Sequence, residues 1–118
     1  MKAVMISIQP KWVEKIANGE KTIEVRKTAP QEVPFKAYIY CTIGNGVKGD
    51  YLVPSGIQCG KVIGEFLCDK VYMSLVGYMK NEPCYWDILN GSCLTKDEIM
   101  NYGKWKTLYG WHISDLKI

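Results

Sequence analysis

The chain has 118 residues, 47% of them hydrophobic, and a formal net charge of +3. This length suits one domain, residues 1–118, built on a single core, and excludes a two-domain arrangement. The charge tolerates an anionic partner but falls short of the strongly basic balance of a dedicated nucleic-acid binder, and no apolar run approaches transmembrane length.

Residues 2–8 alternate loosely in Val, Ile and Met and read as an opening strand that ends at Gln9-Pro10. The run is too brief for a signal-peptide core, so a cytoplasmic protein with no membrane partner is expected. Pro10 suits the first turn of a helix, where its missing N–H is harmless. Trp12, Val13, Ile16 and Ala17 recur at helical spacing, Lys11, Glu14, Lys15 and Asn18 take the other side, and Asn18-Gly19 supplies the stop. Ile23 and Val25 then alternate with Thr22, Glu24 and Arg26, which predicts a strand with one apolar and one charged face. Lys21 sits where the Gly19-Glu20 turn meets that strand, and its long stem can swing toward Glu24 and Arg26.

Residues 28–34 contain two prolines and read as a loop; residues 35–42 form an aromatic and β-branched strand. Gly44, Gly46, Gly49, Pro54, Gly56 and Gly60 make the next stretch a long irregular connection. Residues 61–73 return to strand character, with Glu65 on the same parity as Ile63 and Leu67 and so among apolar neighbours. Residues 74–90 fit either a short helix or a packed loop. Thr95 followed by Glu98 is a capping box that opens a short helix ended by Tyr102-Gly103. Residues 105–118 read as a closing strand broken near Gly110. Five or so strands and two or three short helices, without β-α-β alternation, predict an α+β chain: a small mixed, mainly antiparallel β-barrel.

Cys41, Cys59, Cys68, Cys84 and Cys93 are an odd set with no C-x-x-C pair, so reduced thiols acting as small buried hydrophobes are expected. With His112 as the one histidine, neither a structural zinc nor any other metal or cofactor is expected.

The pattern Gly19-x-Lys21-x-x-Glu24-x-Arg26, set behind the helix Pro10-Lys11-Trp12-Val13-Glu14-Lys15-Ile16, resembles the signature of ASCH domains. The resemblance continues through Lys61-Val62-Ile63-Gly64-Glu65-Phe66 and Gly110-Trp111-His112-Ile113-Ser114-Asp115-Leu116-Lys117-Ile118, and so spans the chain. It implies a PUA-like barrel associated with RNA, of the small single-domain kind found in prokaryotes and phages. Some ASCH proteins release acetyl groups from N4-acetylcytidine with a lysine, a threonine and a glutamate; Lys21 matches the lysine and Glu65 the glutamate. The threonine position is Glu24 here, which removes the nucleophile of that mechanism. Other relatives are credited with ribonuclease activity.

A carboxylate between two cations stays ionised and leaves spare N–H donors for a phosphate, a carbonyl or a base edge. Lys21, Glu24 and Glu65 are therefore the candidate catalytic groups. Arg26, Trp12, Lys11, His112 and Ser114 are the candidate binding contacts. Plainer readings stand beside these: a surface strand whose charges merely pair, an ion pair from Glu65 to Lys21 or Arg26 across the barrel, and a packed His112. Three functions compete. One is a cleft that binds RNA or a modified nucleoside, one a small amidohydrolase or ribonuclease, and one a protein-interaction module using the Gly-rich connection.

Overall fold

Alternating Val, Met and Ile residues form the first strand, β1 (Ala3–Ile8), which buries Ile6 and Ile8. Pro10 opens the helix α1 (Pro10–Ala17), whose Val13 and Ile16 are buried, and Asn18 caps it. Gly19 follows at φ 86°, a left-handed turn that glycine adopts without steric cost and that doubles the chain back into β2 (Ile23–Arg26). After the loop come β3 (Phe35–Cys41) and β4 (Lys61–Leu75). Two helices, α2 (Pro83–Ser92) and α3 (Lys96–Gly103), precede β5 (Thr107–Lys117). The computed structural model describes residues 1–43, 53–75, 83–104 and 106–118. Most of the Gly-rich connection, residues 44–52, lies outside the described residues, as does Trp105.

The strands join in the order β1-β3-β4-β5-β2, with β1 and β3 parallel and every other pair antiparallel. The sheet curls into a half-barrel, which together with the three helices among the described residues makes the small α+β fold that the sequence predicts. No helix among the described residues is long and apolar enough to cross a membrane. Ile6, Ile8, Phe35, Ala37, Ile39, Phe66, Trp111 and Ile113 fill the concave side, and Val13 and Ile16 of α1 cover it. A second cluster joins Val25 and Leu108 to Tyr85, Ile88 and Ile99 of the two later helices.

Several expectations need correction. Of the ambiguous stretch 74–90, residues 74 and 75 end β4, residues 83–90 belong to α2, and residues 76–82 lie outside the described residues. The closing strand does not break at Gly110; a Cβ there would come within 2.8 Å of Ile88 and 2.9 Å of Ile23, so the glycine lets α2 pack directly onto β5. The two faces of β2 are not one buried and one solvated. Val25 packs beneath the later helices, while Glu24, paired with Trp111, points to the concave side, and both are buried. The cysteines are not all free: Cys41 and Cys59, with Cα atoms 4.7 Å apart, form a disulfide. Strand pairing brings the end of β3 against the residues that enter β4, a proximity that a separation of 18 residues does not reveal. Cys68 does behave as a small hydrophobe, and burial pushes its thiol up to about 11.

Gly110→Val should destabilise the protein by about 1–3 kcal/mol through overpacking against Ile88 and Ile23. Urea denaturation that left the midpoint unchanged would show that α2 can move aside.

Candidate functional site

Three backbone contacts aim Lys21 inward. Its N–H donates to the Lys15 carbonyl at 3.0 Å, the Thr22 N–H donates to the Gly91 carbonyl at 2.8 Å, and the Ile113 N–H donates to the Thr22 carbonyl at 2.8 Å. The short segment is thus pinned between α1, α2 and β5 and is free of strand parity. The Lys21 side chain is 2% exposed, and its Nζ donates to the Ser92 carbonyl at 2.7 Å. Ser92 ends α2, where carbonyls lack helical partners and the helix dipole is negative, so a cation is well placed there.

Glu24 bridges that lysine to Arg26. One carboxylate oxygen lies 3.5 Å from Lys21 Nζ, while the other accepts from Arg26 Nε at 3.0 Å and lies 2.8 Å from Nη2. Arg26 Nη2 also donates to the Ser7 carbonyl at 2.9 Å, crossing from β2 to β1, the two end strands of the half-barrel. Burial pulls the Lys21 ammonium below the usual lysine range, against the opposing pull of the Glu24 carboxylate.

A cleft of about 420 Å³ opens over this row. Ser7 and Ile8 of β1, Gln9 and Trp12 at the start of α1, and Lys21, Glu24 and Arg26 line one part; Leu94, Glu98, Asn101 and Tyr102 line the rest. The Trp12 ring has Lys21 Nζ 5.1 Å and Lys11 Nζ 4.5 Å from its centroid, and Lys27 Nζ lies 4.8 Å from the centre of the Tyr102 ring. Burial also raises the Tyr102 phenol.

The structure gathers four of the sequence-derived residues, Lys21, Glu24, Arg26 and Trp12, and sets Lys11 beside them, 3.7 Å from Glu98. Glu65 is elsewhere. It pairs with Lys36 at 2.9 Å, not with Lys21 or Arg26, because β4 turns Phe66 and Cys68 to the core and leaves Glu65 opposite Tyr38 on the outer face. His112 Nδ1 lies 2.7 Å from Asp69 Oδ1, and Ser114 donates to the Leu67 carbonyl at 2.8 Å; neither lines the cleft. Tyr102, Asn101 and Glu98 escaped the sequence reading, although the capping box had already placed them on one short helix. Among the described residues, no three His, Cys, Asp or Glu side chains gather to hold a metal.

Known structures recognise this fold. The chain is similar to the crystal structure of ASCH from Zymomonas mobilis, with a TM-score of 0.68 and 20% identity over 97% of this chain and 68% of that one. A crystal structure of a tyrosine-to-phenylalanine mutant of that protein gives a TM-score of 0.66 and 19% identity over 98% and 70% of the respective chains. No family model matches the chain, and no curated protein matches it. The fold is that of an ASCH domain.

Glu24→Gln would leave Lys21 enclosed without a counter-charge and should cost about 3 kcal/mol in chemical denaturation. Because burial holds the folded-state pKa of Lys21 below its unfolded value, the unfolded chain binds more protons between the two. Stability should therefore rise with pH across that window, and the difference between wild type and Lys21→Met should follow the same rise. A flat difference from neutral to alkaline pH would refute the burial effect.

Proposed function

We propose that the cleft receives an unpaired base, carried by single-stranded RNA or by a modified nucleoside, in a cytoplasmic protein. The reading rests on one observation: the enclosed row Lys21, Glu24, Arg26 shares a nucleoside-sized cavity with the rings of Trp12 and Tyr102. Aromatic faces hold bases by stacking and tolerate any sequence. Among the described residues Arg26 Nη1 and the third Lys21 N–H meet no acceptor, which leaves them to a base carbonyl or a phosphate. Lys11 and Lys27, one at each ring, supply charge for neighbouring phosphates.

Hydrolysis has weaker support. Each Glu24 oxygen is already engaged by a cation, and Glu65, the other candidate acid, is held by Lys36 on the outer face. A carboxylate so occupied is a poor activator of water.

Tryptophan fluorescence titrations with single-stranded oligoribonucleotides, cytidine and N4-acetylcytidine test the proposal. Oligoribonucleotide affinity should fall with salt at a log-log slope of roughly −1.4 for two lysine contacts, and Lys11→Ala with Lys27→Ala should flatten it. Trp12→Leu should weaken binding by about 1–3 kcal/mol, the stacking share of one base. No binding of any of the three ligands at millimolar concentration would sink the reading, and acetate release from N4-acetylcytidine by purified protein would replace it with the hydrolase.

A further inference from the structure

Outside the cleft, the only covalent crosslink among the described residues fastens a short segment that props the helix carrying Trp12. We propose that the Cys41–Cys59 disulfide is a redox latch: its reduction releases residues 53–60 and loosens α1, the helix that forms the Trp12 wall of the cleft.

Two routes run from the disulfide to that helix. The first passes through the sheet. Cys41 ends β3 beside Ile8, and the next residue, Thr42, donates its N–H to the Ile8 carbonyl at 3.0 Å, directly before Gln9, the N-cap of α1. The second passes through the segment itself. Residues 53–57 fold on themselves, Val53 N–H to the Ile57 carbonyl at 3.0 Å and Gly56 N–H to the Val53 carbonyl at 2.8 Å. From that turn Ser55 donates both its N–H, at 2.9 Å, and its Oγ–H, at 2.6 Å, to one oxygen of Glu14 on α1. Val53 and Cys59 are buried in the same cluster as Val13 and Ile16. The segment is therefore fixed to β3 by a covalent bond and to α1 by a doubly bonded carboxylate.

Reduction by a cellular dithiol breaks the Cys41–Cys59 S–S bond. Two electrons and two protons pass to the protein, both cysteines become thiols, and the reductant closes its own disulfide. The Gly60 N–H bond to the Cys41 carbonyl, at 2.7 Å, the packing of Val53 and the Ser55 bonds to Glu14 then act without the covalent tie. Both sulfurs are buried, so reduction waits on the segment lifting. In a reducing compartment such a bond is transient, which is what a sensor requires. The inference needs no ligand in the cleft and stands apart from the function proposed above.

Hydrogen exchange on the full chain tests it, with and without dithiothreitol, after peptide mapping of the oxidised protein. Reduction should speed exchange of the Trp12, Val13 and Asn18 amides by about tenfold while paired amides of β4 and β5 keep their rates. Acrylamide should also quench Trp12 more readily, read as the difference from Trp12→Phe. Cys59→Ser should copy the reduced state, and the double variant Glu14→Gln, Ser55→Ala should exchange fast in both redox states. If Cys59→Ser fails to fold, the wild-type pair still gives the answer. The proposal fails if no Cys41–Cys59 peptide forms on oxidation, if α1 exchange is the same in both states, or if every amide accelerates equally, the mark of general stabilisation alone.

Discussion

Glu24 holds the site together. Its two oxygens are shared between a lysine anchored on the last carbonyl of α2 and an arginine that reaches across to β1, so one carboxylate ties three separate parts of the chain. Burying Lys21 and Glu24 and half-burying Arg26 carries a desolvation cost, and the row is tolerable because each charge meets an opposite charge or a carbonyl at close range. With a hydroxyl at this position the two cations would lack their shared counter-ion. The acidic residue at the centre of the row is thus the one that joins α2, β2 and β1 at the cleft.

The half-barrel explains why a cleft exists at this place. A closed barrel would satisfy β1 and β2 with each other; here they are the end strands, and the side chain of Arg26 spans the gap that backbone bonds leave open. Trp12 and Tyr102, from helices distant in sequence, wall that gap. The fold supplies an opening, and the charged row gives it polarity.

Local signals were legible in the sequence because they depend on neighbours in the chain. Pro10 marked the helix start, Asn18-Gly19 its end, and Thr95 with Glu98 a capping box whose two hydrogen bonds are both present. The grouping of Lys21, Glu24 and Arg26 followed from a spacing of five residues. Glu65 was misplaced because parity along an isolated strand says which residues share a face but not which face meets the core; pairing with β3 decided that. The burial of both faces of β2 and the approach of Cys59 to Cys41 were hidden for the same reason, since each depends on elements that arrive later in the chain. Gly110 looked like a breaker because a missing side chain reads alike whether the chain bends or a neighbour fills the space.

The pairing of β2 with β5 has a further consequence for biogenesis. Ile23 lies opposite His112, and Ile113 bonds back to Thr22, so the strand bearing Glu24 and Arg26 has no partner until the ribosome has made nearly all of the chain described here. Until β5 has been made the charged row is unassembled and its apolar neighbours are uncovered, leaving a strand edge and hydrophobic surface open to off-pathway contacts.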